Sequence, residues 1–297
     1  MKPRLRAGFT LVELLVVIAI IGVLVAMSIP AVQASRELGR RAICQANLSE
    51  IMLAVQSYDN AFETLPAGVV NPDGPIRNEA SGLHQGWLIQ MLPYLDEGAA
   101  YRLVDFSQSV YDPANARVRA LWPRTFICPS EPNDEPGTSN YAACHHDVEA
   151  PIAADNQGVM FLNSAVTRHD IPDGAAYTIF VAEKRVWPGD LGWMSGTRAT
   201  LRNTGLTPNL AAPAAPAAGE AGAAAAEGND SGAASKINDP AAVLYVGGFG
   251  SAHVDGAFVG FGDVSVRYVT DDIDETLWQR LGNRADGNPV NIEPQTD

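Results

Sequence analysis

One carboxylate stands where carboxylates are rarely placed. Glu13 is the only ionisable side chain in the apolar run from Phe9 to Ile29. A charge at the centre of a membrane helix costs on the order of 3 kcal/mol, and less near an end. An acid kept in such a run therefore needs a function, and the chemistry on offer is a buried ion pair with a positive group at the same depth. Three cysteines follow, Cys44, Cys128 and Cys144. They allow one intramolecular disulfide and leave one thiol, provided the body of the chain lies in a disulfide-permissive compartment.

The remaining reactive side chains form weaker patterns. His145-His146-Asp147 contains metal-ligand types, but adjacent side chains diverge and no fourth ligand is evident, so the reading taken is a solvated polar loop. Asp271, Asp272 and Asp274, with Asp263 nearby, are candidate oxygen ligands for calcium. They lack a glycine-centred loop of fixed spacing, and an exposed acidic turn is preferred. Gly247-Gly248-Phe249-Gly250 is not a phosphate cradle, since neither a helix nor a lysine succeeds it. No G-x-S-x-G elbow or other catalytic spacing joins the serines, histidines and aspartates, and no enzyme is expected.

The elements that position these residues begin with the apolar run. Its 21 residues span roughly 30 Å as a helix, about one hydrocarbon core. Lys2, Arg4 and Arg6 precede it and no cation lies inside it, which places the leader in the cytoplasm and everything after Pro30 across the inner membrane. Beyond Pro30, which should kink the helix, Cys44, Leu48, Ile51, Val55, Tyr58 and Phe62 recur at spacings of 4, 3, 4, 3 and 4. This is one apolar helix face, so the second half of a helix reaching residue 62 should pack onto the head. Cys44 sits on that stripe, as a small buried hydrophobe or as half of a bridge. Cys128 is the favoured partner, with Cys128 to Cys144 as the rival pairing.

The head, residues 63–297, reads as α+β. Short helices are expected at Trp87 to Leu95, Arg117 to Trp122 and Glu275 to Leu281. Strands are expected at Thr125 to Ser130, Gly158 to Phe161 and Tyr177 to Glu183. Val243 to Val246, Ala257 to Phe261 and Val264 to Val269 read as an antiparallel meander. Residues 211–235 are dominated by Ala, Gly and Pro and form a low-complexity loop that cannot bury a core. The net charge is −14, and loss of a leader carrying three cations takes it to −17. Nucleic acid and anionic lipid are thereby disfavoured as partners.

Arg6-Ala7-Gly8-Phe9-Thr10-Leu11-Val12-Glu13 resembles the class III signal of type IV pilins and type II secretion pseudopilins. A small residue before the apolar run, an aromatic and a glutamate all fall in register. The resemblance implies an 8-residue leader (residues 1–8) cut after Gly8 by a prepilin peptidase, N-methylation of Phe9, and a pilin helix over residues 9–62 with residues 9–29 in the membrane. It also implies assembly with other pilin-like subunits, with Glu13 meeting the free amine of a neighbour's Phe9. The head is similar to a large planctomycete family of pilin-like proteins of unknown function, through Arg40 to Leu48, Leu92-Pro93-Tyr94-Leu95, Phe126-Ile127-Cys128-Pro129-Ser130, Asp173-Gly174-Ala175, and Phe249 to His253 followed by Gly262 to Arg267. The family's C-terminal H-x-G-G motif here reads His253-Val254-Asp255-Gly256, and its Asp-Gly-Ser turn reads Asp263-Val264-Ser265. The expected fold is thus type IV pilin-like, a long N-terminal helix on an antiparallel sheet, and the expected function is a structural filament subunit. The alternative is a membrane-anchored exported module whose head binds a ligand or surface. No cofactor is expected beyond the calcium candidates.

Overall fold

The computed structural model describes residues 11–131, 136–210 and 243–288. Gly8, Phe9 and the low-complexity stretch 211–235 lie outside the described residues. The chain divides into two compact units, Met1–Ala42 and Ile43–Asp297, and the division falls inside one helix, α1, Leu11–Phe62.

In the first unit, α1 is long and apolar enough to cross a membrane, and its large side chains from Leu11 to Ile29 are exposed in the single chain. The helix continues through Pro30 although that residue cannot donate a hydrogen bond. Ser28 turns its hydroxyl onto the Leu24 carbonyl at 2.8 Å, which keeps a polar group satisfied within the apolar stretch. Glu37 and Arg40 pair at helical spacing after it.

The second unit is built on a five-stranded sheet in the order β5, β3, β4, β6, β7. Its strands are β3 Tyr141–His146, β4 Ile179–Glu183, β5 Leu201–Asn203, β6 Gly256–Phe261 and β7 Val266–Thr270. All neighbours are antiparallel except β3 and β5, so the expected antiparallel sheet carries one parallel edge pair. A separate two-stranded ladder joins β1 Val69–Val70 to β2 Gln85–Gly86.

Strands β4 and β6 are buried along their whole length and β3 up to its last residue, with no inside-outside alternation. The reason is that both sheet faces are covered. Cys44, Leu48, Ile51, Met52 and Val55 of α1 lie in one cluster with Tyr141, Ala143, Phe180 and Phe258. Trp278 and Leu281 of the C-terminal helix Glu275–Gly282 lie in a second, with Ala142, Cys144, Val259 and Phe261. The result is three layers, helix on sheet on helix. Gly260 permits the close approach of α1, since a Cβ there would stand 2.6 Å from the Met52 sulfur.

Several expectations need correction. The α1 stripe is buried from Cys44 to Val55, but Tyr58 is only partly covered and Phe62 is 58 % exposed, because Asp59 turns inward there to pair with Arg168 at 2.6 Å. Residues 125–130 form a 3-10 turn, Arg124–Phe126, in place of a strand. Residues 158–161 and 243–246 are irregular. Their backbone bonds go elsewhere: Val159 and Met160 both donate to the Cys144 carbonyl, and the Val246 N–H to Glu149. The meander is therefore a two-stranded hairpin of β6 and β7.

Candidate functional site

Glu13 lies on α1 and is the sole ionisable side chain between Leu11 and Ser35. A carboxylate at this depth of an apolar helix is costly in lipid.

In the head, Cys44 and Cys128 form a disulfide, with Cα atoms 5.1 Å apart and a sequence separation of 84. Helix geometry and turn geometry meet at this link. One turn beyond Cys44, Asn47 donates to the Ile127 carbonyl at 2.8 Å. The Tyr141 hydroxyl donates to the Cys44 carbonyl at 3.1 Å, and the Cys128 N–H donates to Asn140 at 3.0 Å. Two further side chains crowd the sulfurs. His253 Nε2 is 3.5 Å from Cys128 Sγ and 3.5 Å from Glu183 Oε1. The other Glu183 oxygen accepts the Phe258 N–H at 2.9 Å, and the His253 ring stands edge-on to Phe258. Among the described residues, this is the one place where three or more Cys, His, Asp or Glu ligand atoms gather. Glu183 was not foreseen as a site residue. The signal was an acid closing the apolar run Ile179-Phe180-Val181-Ala182.

Beside it lies a buried ion network. Asp190 Oδ2 is 2.5 Å from Lys184 Nζ, and its carboxylate is 3.3 Å from Arg198 and 3.6 Å from Arg202. The Arg202 guanidinium lies 3.6 Å over the Trp187 ring, which itself stacks on Tyr245. Glu149 accepts the N–H groups of Val246 and Gly247, both at 2.9 Å, and the Asn203 amide at 2.8 Å. Burial pushes the Lys184 ammonium down to about 8 against the pull of Asp190, and Arg202 down to about 10. Burial would raise Asp190, but Lys184 and Arg202 hold its carboxyl below the usual range. The network gathers three cations and two carboxylates, Lys184, Arg198 and Arg202 with Asp190 and Glu149. The network ties β5 to the segment that follows it in the structure.

The His145-His146-Asp147 motif is not a solvated loop. It ends β3, where His145 is fully buried and donates from Nδ1 to Asn156 Oδ1 at 3.1 Å. That orientation is set by Asn156, whose Oδ1 also accepts the Ala153 N–H and whose amide donates to Pro151. Nε2 is left buried without a hydrogen bond, and burial pushes the imidazole down to about 3. His146 contacts Asp147, which also accepts from Asn283 at 2.7 Å. Cys144 is a buried free thiol, raised by burial and so kept from reactivity.

The aspartates are spread over two ends of the β6–β7 hairpin. Asp263, in the turn, accepts from the Ser265 N–H and hydroxyl at 3.0 and 2.6 Å. Asp271 follows β7 and accepts from Asn209 at 2.8 Å, while Asp274 caps the C-terminal helix through the Leu277 N–H. With β7 between them, the two groups are separated by roughly 15 Å of strand. A shallow cleft of about 620 Å³ is lined by Phe161, Ser164, Val166, His169, Asp170 and Arg284. Arg284, which lines it, is committed to the carbonyls of Asn156 and Gly158 at 2.7 Å each.

Residues 33–276 match the family described as a protein of unknown function (DUF1559), and residues 3–29 match the prokaryotic N-terminal methylation motif. No curated protein and no solved structure matches the chain.

Proposed function

This chain belongs to the DUF1559 family and carries a prepilin-type methylation motif, and from that premise we propose that it is a structural pilin or pseudopilin subunit assembled into a filament through α1. In this reading a prepilin peptidase cuts after Gly8, Phe9 becomes the methylated N-terminus, and the membrane stretch of α1 packs against the same stretch of neighbouring subunits. Before assembly the chain is a single-pass inner-membrane protein with its N-terminus cytoplasmic and its head exported.

The observation that carries the reading is Glu13, one carboxylate on a helix otherwise free of charge from Leu11 to Ser35. Left in a lipid-facing helix it is a cost. Paired with the amine that cleavage creates on a neighbour, it is a register mark for assembly. Mass spectrometry of the protein from membranes is the test. An N-terminal methyl-phenylalanine at residue 9 is expected, whereas an intact Met1 or a cut after residue 30 refutes processing. Glu13→Ala is expected to abolish filament incorporation with the head still folded. Unimpaired incorporation would favour an anchored binding module instead.

A further inference from the structure

The head contains four side chains that a disulfide alone does not account for. Cys44, Cys128, Glu183 and His253 are each no more than 3 % exposed. One ligand atom from each lies within 4.8 Å of all the others. We propose that this cluster, in its dithiol form, is a Zn²⁺ site with Cys44 Sγ, Cys128 Sγ, His253 Nε2 and Glu183 Oε1 as ligands, and that the disulfide is the metal-free, oxidised form of the same centre.

Three observations converge on it. The first is distance. A tetrahedral zinc with Zn–S of about 2.3 Å and Zn–N and Zn–O of about 2.0 Å has S···N and N···O edges of roughly 3.5 and 3.3 Å. His253 Nε2 stands 3.5 Å from Cys128 Sγ and 3.5 Å from Glu183 Oε1. Nitrogen and oxygen are thus already at ligand separation, and reduction frees the two sulfurs to part to the roughly 3.8 Å of an S···S edge. The second is an orphaned acceptor. Glu183 Oε1 is fully buried and makes no hydrogen bond, while Oε2 of the same carboxylate is anchored by the Phe258 N–H. A buried carboxylate oxygen that makes no hydrogen bond and stands 3.5 Å from an imidazole, beside two sulfurs, is a costly neighbour for an apolar disulfide and an ordinary ligand for a cation. The third is orientation from outside the ligand set. Asn140 holds the Cys128 N–H, Tyr141 holds the Cys44 carbonyl, and Phe258 packs on the imidazole, the type of support that aims metal ligands.

Two thiolates, an imidazole and a carboxylate suit zinc better than calcium or magnesium, which prefer oxygen alone. Four protein ligands, all buried, describe a closed structural site. The chemistry balances with an external dithiol as the two-electron reductant. A dithiol reduces the protein disulfide and is itself oxidised to its cyclic disulfide. The two protein thiols then bind Zn²⁺ as thiolates and release two protons. Either state staples α1 at Cys44 to the turn at Cys128, but only the metal state also binds β4, through Glu183, and the segment before β6, through His253.

The test uses the full processed chain in detergent, reduced with excess dithiol and exchanged without oxygen into reductant-free buffer. Titration with Co²⁺ is expected to saturate at one ion per chain, with thiolate-to-cobalt charge-transfer absorption and tetrahedral d–d bands, and one equivalent of Zn²⁺ should displace it. The oxidised protein should take up none. His253→Ala and Glu183→Gln are each expected to weaken Zn²⁺ binding at least tenfold. His253→Cys retains a metal ligand on a smaller side chain, and should bind Co²⁺ with added charge-transfer intensity. Absence of uptake by the reduced chain overturns the proposal. So does a spectrum unchanged in His253→Cys, or affinity unchanged in Glu183→Gln.

Discussion

Acid should unfold this head through one histidine before most of its carboxylates matter. His145 is fully buried, its Nδ1 proton is held by Asn156, and Nε2 faces no acceptor. Protonating Nε2 would place a new N–H and a positive charge in a dry site beside Arg202, and the imidazole is accordingly held down to about 3. In the unfolded chain it titrates near its ordinary value of about 6.5. Because the folded value is depressed, the unfolded state binds the proton first. Stability from this group is complete above about pH 6.5 and is lost as pH falls towards about 3, at up to about 1.4 kcal/mol per unit. Between pH 7 and pH 4 the loss comes to about 3 kcal/mol, a large share of a normal folding free energy. The perturbation is His145→Gln, whose amide can still donate to Asn156 but does not titrate. The assay is urea unfolding followed by tryptophan fluorescence at pH 7 and pH 4 for both chains. The variant is expected to be weaker at pH 7 through imperfect packing, yet to lose about 3 kcal/mol less than the wild type on acidification. If the two chains lose the same amount within about 0.5 kcal/mol, the buried, unprotonated His145 is refuted.

Two further outcomes follow from the same physical reasoning. Asp190→Asn leaves Lys184, Arg198 and Arg202 facing one another with their central anion gone, and should cost about 3–5 kcal/mol by urea titration. Adding Lys184→Met to Asp190→Asn should recover part of that loss, and a cost below about 1 kcal/mol for the single variant would show that water reaches the network. At the β6–β7 turn, Val264 has φ +71°, a conformation that a β-branched residue adopts under strain. Val264→Gly is expected to stabilise the chain by about 1 kcal/mol in thermal unfolding, despite losing some packing, whereas Val264→Ala should give no comparable gain.

That turn illustrates how local sequence speaks where backbone geometry is local. Asp263-Val264-Ser265 departs from a glycine-containing pattern at one residue, and that residue carries the positive φ. The same holds for the apolar run and the stripe from Cys44 to Val55. Each depends on helix periodicity or on hydrogen bonds spanning three or four residues. Strands were legible where they are long and apolar, as in β4 and β6. Residues 158–161 and 243–246 have strand-like composition but find their backbone partners in single carbonyls and in Glu149, which no window of sequence contains.

The sequence by itself determined the membrane-length helix, the isolated carboxylate on it and the class of the head, because hydrophobic length and period are properties of consecutive residues. Only the tertiary structure decided that Cys44 meets Cys128, that Glu183 and His253 close around them, and that His145 lies in a dry strand. Those contacts join residues 70 to about 210 positions apart. Their geometry comes from stacking α1, the sheet and the C-terminal helix, and a side chain's chemistry changes with the water those layers exclude.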